Sequence, residues 1–259
     1  MQKIKTNKKA LSICSNIFYP LLALSIVLAV WAIASASYGN PIVLPAPDVT
    51  LRVFFQMFAE KSFWVNIGWS TLRALICFGF SFVLALLFAA LGNLFKPLNK
   101  TIAPIITILR AAPTVAVILI IYAFMMAETK LAIVVGFLVA FPILYSAFYS
   151  AIEGVDKDLI EMANVYKVRA RDKVFSIYLP SISNTLFDMS KSTISLTFKV
   201  VVAAEILTYI PKSIGTQIMY AKNVYDIDYL LAWTIASIVI AFLLEGFVAL
   251  LKYVWRKAR

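Results

Sequence analysis

The chain has 259 residues, of which 62% are hydrophobic and only 14% charged, with a mean hydropathy of +0.89. Soluble domains run roughly 45–50% apolar and about 25% charged, so a disordered chain, a fibrous repeat and an ordinary soluble enzyme are excluded, and an integral membrane protein is indicated. The net charge of +11 would suit nucleic acid in a soluble protein, but here its placement along the chain sets membrane orientation instead.

A spanning helix needs about 20 mostly apolar residues, and six segments reach that length. Residues 1–16 form a basic N-terminal stretch, and Ile17 to Tyr38 is the first span. Ala34-Ser35-Ala36 resembles a signal-peptide cleavage site, but the apolar run before it exceeds the roughly 7–15 residues of a signal core, so a retained helix is expected. The second span covers Phe63 to Leu91 with Arg73 inside it, and the third covers Ile102 to Ala127 with Arg110 and Pro113. Leu131 to Ser150 is the fourth, Ser181 to Ile210 the unusually polar fifth, and Tyr229 to Leu251 the sixth. Pro113 and Pro142 are expected to kink their helices. The runs are too long, and alternate too little, for barrel strands of roughly 9–11 residues. The expected fold is an all-α integral membrane protein with a five-helix core over residues 63–251, a loop at 151–180 and a basic C-terminus at 252–259.

Lys/Arg bias orients the spans. With the N-terminus in the cytoplasm, fifteen basic residues fall on inside segments and five (Arg52, Lys61, Lys130, Lys212 and Lys222) on outside loops. Both termini are therefore expected in the cytoplasm. There is no histidine, the commonest general base and metal ligand. Cys14 and Cys77 form neither a metal motif nor a disulfide framework. No phosphate-binding Gly-rich loop is present, so the chain is expected to bind no nucleotide, and a Ser-Lys dyad from Lys191 with Ser192 or Ser195 is a remote reading.

The inside loop at 151–180 is amphipathic. Leu159, Ile160, Met162, Ala163 and Tyr166 recur at helical spacing. Asp156, Asp158 and Glu161 occupy the first turns, where acids favour a helix N-terminus. Lys167, Arg169, Arg171 and Lys173 follow, and a second apolar run from Val174 is expected to stop at Pro180. Two short helices joined by a basic turn would present a knob to a groove on a soluble partner; the plainer reading is a solvated loop anchored by its cations.

This segment resembles the coupling loop of binding-protein-dependent ABC importer permeases, whose pattern is Glu-Ala-Ala, three residues, Gly, nine residues, Ile-x-Leu-Pro. Here it reads Glu161-Met162-Ala163, Lys167 in the glycine position, then Ile177-Tyr178-Leu179-Pro180. Six further stretches are similar to permeases of the taurine, alkanesulfonate and nitrate type. They are Leu44-Pro45-Ala46-Pro47, Ser70-Thr71-Leu72-Arg73, Leu109-Arg110-Ala111-Ala112-Pro113, Glu128-Thr129-Lys130, Phe141-Pro142-Ile143 and Val202-Ala203-Ala204-Glu205. The departures are Met162, Lys167, Tyr122-Ala123-Phe124 in place of Trp-Phe-Gly, and Ser213-Ile214-Gly215 in place of Gly-Leu-Gly.

The resemblance implies the type I importer permease fold in a prokaryotic plasma membrane. It implies a second permease copy as a homodimer partner, an ABC ATPase subunit that alone binds ATP and Mg, and an extracytoplasmic binding protein. The solute it implies is small and polar or anionic, of the sulfonate, nitrate or pyrimidine and vitamin-precursor type. Asp156, Leu159, Ile160, Glu161, Met162, Ala163, Tyr166, Lys167 and Arg169 would then couple to the ATPase. Two rival readings are an ion-coupled secondary transporter using Asp188, Lys191 and Glu205, and a non-transporting sensor or scaffold subunit.

Charges inside spans are expensive and need a reason. Asn184, Asp188, Lys191, Ser192, Ser195 and Lys199 recur every three or four residues and fall on one stripe of the fifth span, where Asp188 and Lys191 are placed to pair. The stripe is read either as a translocation pathway at a dimer interface or as a polar seam against another span. Both readings keep it out of lipid. Glu205 lies off the stripe; the resemblance puts it near the outer gate, and a local pair with Lys212 is the alternative. Arg73 and Arg110 are read as snorkelling, pairing with carboxylates or bracing the bundle, or, less readily, as solute contacts.

Overall fold

The computed structural model describes residues 2–40, 42–125 and 129–258, with backbone alone over 2–17. Ala127, the expected end of the third span, and Glu128 of the Glu-Thr-Lys stretch lie outside the described residues. Those described fold into helices and turns, with no strand among them. This is the expected outcome where a membrane denies water to the backbone and each segment must satisfy its own N–H and C=O groups.

Helix α1 is Gln2–Tyr38, α2 Pro47–Met57, α3 Lys61–Leu94, α4 Lys96–Ala111, α5 Thr114–Met125 and α6 Thr129–Glu153. Helix α7 is Lys157–Val165, α8 Ala170–Lys173, α9 Leu179–Thr208, α10 Ile214–Asn223 and α11 Ile227–Ala258. Four helices are long and apolar enough to cross a membrane: α1 over Phe18–Tyr38, α3, α6 and α11. The pair α4 and α5 passes the same test only when joined. Helix α9 has the length, but Asn184, Asp188, Lys191 and Lys199 make it too polar to qualify on composition.

Three sequence expectations are corrected here. The third span is not one kinked helix: α4 and α5 meet at 100° across Ala112-Pro113, because Ala112 before the proline is forced to extended backbone (φ −68°, ψ 132°). Pro180 does not stop the loop helix. It sits in the first turn of α9, where its missing N–H costs little, and a π-helical turn, Val174–Tyr178, carries the right-handed backbone from α8 into α9 without a break. The loops before the second span and after the fifth contain helices that were not expected. Helix α2 buries Thr50, Phe54 and Met57 on one face, and α10 is capped by Ser213, whose Oγ accepts from the Thr216 N–H at 3.1 Å.

Helices α3, α6 and α9 form the centre, and α11 packs on α9. The α3–α6 seam is built from small residues: Ala74, Cys77, Ser81, Ala85 and Ala89 of α3 are fully buried at helical spacing. Small side chains let two helix backbones approach in lipid, where van der Waals packing has to supply the cohesion. Gly136 of α6 shows how close they come, since a Cβ there would lie 2.7 Å from Cys77 Sγ. By contrast, α1 from Phe18 onward has no buried residue in its apolar window. Among the described residues it is tied to the Leu-Pro-Ala-Pro turn by two bonds: Trp31 Nε1 donates to the Pro45 carbonyl at 3.0 Å and Ser35 Oγ to the Leu44 carbonyl at 2.8 Å.

Candidate functional site

Two features of the fold hold the residues singled out in the sequence: a knob built from α7, α8 and the π turn, and the polar helix α9. In the knob, Asp156 caps α7, its Oδ1 accepting from the Asp158 N–H at 2.9 Å. Ile160 and Ala163 turn inward, Ala163 being buried, while Leu159, Glu161, Met162, Val165 and Tyr166 are exposed. Tyr166, at 77% exposure, and Val165, at 78%, are too apolar for a face meant only for water.

The turn that ends α7 resolves what lysine does in the glycine position. Lys167 has φ of 52°, in the left-handed region. The Val168 N–H donates to the Ala163 carbonyl at 2.9 Å and the Lys167 N–H to the Asn164 carbonyl at 3.0 Å, the paired bonds of a Schellman cap. The backbone thus keeps the geometry a glycine would adopt freely, and the lysine bears its steric cost. Lys173 reaches back to the Asn164 side chain, and the Arg171 guanidinium lies over the Phe175 ring at 5.9 Å. These contacts tie the basic turn to both helices. A cleft lined by Leu159, Met162, Ile177 and Pro180 opens beside the exposed face.

On α9 the stripe is exposed along Asn184, Asp188, Lys191, Ser192 and Lys199, and only Ser195 is buried. The expected Asp188–Lys191 pair does not form. Asp188 instead takes the Lys252 ammonium of α11, and Asn184 Oδ1 accepts from Arg256 Nη2 at 2.9 Å. The reason is geometric: α11 continues as helix through Ala258, so Lys252 and Arg256, one turn apart, face α9 across the seam. Lys191 and Lys199 enter no ion pair or hydrogen bond among the described residues. Arg110, exposed in the last turn of α4 beside the break, likewise has no carboxylate partner among them.

Glu205 occupies the opposite situation. It is fully buried within the protomer and pairs with Arg73, 3% exposed, at 2.8 Å. The predicted local pair with the Lys212 side chain is replaced: Lys212 contributes its backbone carbonyl, which accepts from Arg73 Nη1 at 3.2 Å, and Pro211 accepts from Arg73 Nη2 at 3.0 Å. Ser70 Oγ lies 2.7 and 2.9 Å from the two carboxylate oxygens and accepts from the Ile214 N–H at 3.0 Å. The Gly215 N–H donates to Glu205 Oε2 at 3.3 Å. A Cβ on Gly215 would sit 2.4 Å from the Glu205 Cβ and 2.5 Å from the Ile206 nitrogen, so glycine is required for α10 to approach α9. Sequence reasoning missed Ser70 and Gly215 as partners, although two opposite charges in apolar spans, Arg73 and Glu205, were the available signal.

The chain is similar in sequence to transport permeases and in fold to a solved ABC transporter. A transporter permease of Methanocaldococcus jannaschii, named as an ABC transporter permease protein, is 24% identical over 97% of this chain and 98% of its own length. The aliphatic sulfonates transport permease SsuC of Bacillus subtilis is 24% identical over 90% of this chain and 84% of that protein. In the crystal structure of a bacterial ABC transporter involved in import of the acidic polysaccharide alginate, one chain superposes with a TM-score of 0.66 at 17% identity, covering 92% of this chain and 95% of that one. Residues 81–255 match the family described as binding-protein-dependent transport system inner membrane component, and the chain belongs to that family of multi-pass ABC importer permeases.

Proposed function

We propose that the chain forms the solute pathway of an ABC importer and passes the work of a separate ATPase to it through the knob. In this reading both termini and the knob are cytoplasmic, and α9 and the α4–α5 pair complete six spans. Two copies pair through the exposed face of α9, since a polar helix face is costly against lipid and a two-fold axis would give it the same face as partner. The ATPase holds ATP and Mg, and a binding protein delivers a small polar or anionic solute, of the sulfonate, nitrate or pyrimidine and vitamin-precursor type. ATP-driven closure of the ATPase dimer moves the two knobs, and the spans alternate access.

The observation that carries this reading is the apolar face of α7 — Leu159, Met162, Val165 and Tyr166 exposed on a helix fixed at both ends by its own caps. A rigid apolar ridge of one helix suits the groove of a partner. Glu161 stands on this ridge as a transmitting contact.

The test is a mild-detergent pull-down of the tagged full chain from its native membranes, with mass spectrometry of what accompanies it. A near-stoichiometric ATPase carrying a phosphate-binding loop, lost when residues 156–171 are scrambled, is the expected result. A chain that comes alone, from membranes with no ATP-dependent uptake, would overturn the proposal.

A further inference from the structure

A groove of about 430 Å³ runs between α3 and α11 with α9 as its floor, and its surface is apolar throughout. Ser183, Leu186 and Ser190 of α9 are buried beneath it, Phe78 and Phe82 of α3 form one wall, and Trp255 of α11 stands at one end of the other. Gly79 lies in the α3 wall, and a Cβ built there would meet nothing within 4 Å.

The groove has the length of one leaflet. Along α9 it extends from Leu179 to Ser190, about 16 Å at about 1.5 Å per residue. Half of a hydrocarbon core of about 30 Å is about 15 Å. The deep end reaches Phe78, halfway along α3. The shallow end lies at Leu179, the first residue of α9, and at Trp255, in the last turn of α11. In the orientation proposed above this is the inner half of the bilayer, with a tryptophan at the level of the headgroups, where such rings concentrate.

The charge at that level is positive. Lys252 is bound to Asp188, and the two cancel. Arg256 donates to the neutral side chain of Asn184, and Lys257 is exposed; neither has a carboxylate partner among the described residues. Helix α3 carries no acid. On α11, Glu245 lies three residues beyond Val248, the deepest lining residue of that helix, and about 16 Å along the axis from Arg256. Asp228 is at the opposite end of α11, and Asp172 of α8 stands between Arg171 and Lys173.

We infer that this groove holds one acyl chain of an anionic phospholipid, with its phosphate beside Arg256 and Lys257. The inference rests on the importer reading only for naming the inner leaflet. An acyl chain requires an apolar trough of leaflet length that is open to the bilayer, and a phosphate requires cations where the trough ends. Each Lys or Arg near the surface favours an anionic lipid about fivefold. So placed, the lipid fills the gap between α3 and α11 and braces both against α9.

The experiment is native mass spectrometry of the full chain in a mild detergent, titrated with dioleoylphosphatidylglycerol, dioleoylphosphatidylcholine or glycerol phosphate. One phosphatidylglycerol per chain should be retained at the lowest concentrations. Phosphatidylcholine should bind at least about fivefold more weakly, and glycerol phosphate should not be retained. Gly79→Leu places a side chain in the groove and should abolish the first adduct. That variant should melt no lower than the parent, since its Cβ meets no neighbour and leucine favours a helix more than glycine does. Gly68→Leu, on the same helix and equally free of neighbours, should keep the adduct. Arg256→Gln with Lys257→Gln should weaken phosphatidylglycerol about twenty-five-fold and leave phosphatidylcholine unchanged. Ser190→Ala should change nothing: the Ser190 hydroxyl has no partner among the described residues, and a hydrocarbon tail offers it none. A first adduct that survives Gly79→Leu, equal retention of phosphatidylcholine, or loss of the adduct in Ser190→Ala overturns the site. A changed number of chains per particle in lipid-free Gly79→Leu would assign the groove to a second copy and overturn it as well. The importer reading is tested separately by the co-purifying ATPase: a tight adduct lost in Gly79→Leu, on a chain that captures no ATPase, would keep the lipid site and sink the importer reading alone.

Discussion

Helix α9 carries two polar systems that solve the problem of charge in a membrane in opposite ways. At the end near α10, Glu205 is enclosed by Arg73, Ser70 and the Gly215 amide, so every charge finds its partner inside one protomer. Toward the knob, Asp188 and Asn184 are bound by α11 residues, while Lys191, Ser192 and Lys199 face outward. The first arrangement closes a fold; the second leaves a surface unfinished. Burial separates them: Glu205 is 0% exposed, whereas the Asp188 side chain is 63% exposed. A buried pair is costly to break from one side because the survivor is stranded. An exposed pair contributes little to folding, and its place on a membrane helix suits the pairing between copies proposed above.

The largest effect should follow from breaking the closed system. Glu205→Ala leaves Arg73 buried without its counter-charge, and about 3–5 kcal/mol of stability should be lost, read as a steep fall in the detergent melting midpoint and in monodisperse yield. The double variant Arg73→Leu with Glu205→Leu should recover much of that loss, because no charge is then stranded. Gly215→Val should be nearly as damaging, since its side chain would enter space held by the Glu205 Cβ and the α9 backbone. A Glu205→Ala protein that melts like the parent would erase the contrast between the two ends of α9.

The second variant probes the open system. Asp188→Ala frees Lys252 at a site that is already partly exposed, so less than about 1 kcal/mol of stability should be lost. Uptake by reconstituted transporter should nevertheless fall markedly, because the face proposed to lie between copies gains another unpaired cation. A variant with normal uptake would remove α9 from the pathway. A variant that fails to fold would move Asp188 into the structural class with Glu205.

How much of this was legible follows from which interactions are local. The apolar runs, the α7 helix with its Asp156 cap, and the polar stripe all depend on spacing within one segment, and the sequence carries that directly. The Asp188–Lys191 pair was read from i,i+3 spacing, but Lys252, 64 residues away, took the acid. Helix α11 runs past the lipid-length segment to Ala258, and nothing in the local pattern fixes where it crosses α9. The break between α4 and α5 was read as a kink because Pro113 signals an interruption and not its 100° angle. Helices α2 and α10 were missed because their apolar faces are only a few residues long. The Schellman turn at Lys167 was visible solely through the resemblance, since lysine carries no turn signal of its own.

A third variant, Glu161→Lys, reverses an exposed charge on the knob without touching its caps. Folding should change by less than about 0.5 kcal/mol, as for surface substitutions generally, while ATP-dependent uptake and the amount of captured ATPase drop together. Normal solute-stimulated ATP hydrolysis in this variant would count against the docking role of α7, and would leave the knob as a structural cap on the inner ends of the helices.

The smallest effect sharpens the comparison, because it asks whether the knob is set by its own backbone or by its partner. Lys167 holds a left-handed φ of 52°, which costs an L-residue roughly 1–2 kcal/mol. Lys167→Gly removes that strain but adds about 0.5–1 kcal/mol of backbone entropy to the unfolded side, so a net local gain of roughly 0.5 kcal/mol is expected. Lys167→Val should lose more than the parent, since a branched Cβ tolerates this region least. The global melting midpoint should barely move, because α7 meets the core through little more than Ile160 and Ala163. Amide exchange of Val168 and Tyr166, whose N–H groups bond back to Ala163 and Met162, is therefore the measurement: slower in the glycine variant, faster in the valine variant. If both variants exchange like the parent when isolated, and differ only with the ATPase bound, the turn is shaped by the partner and the knob belongs with the open face of α9 instead of with the closed Glu205 system.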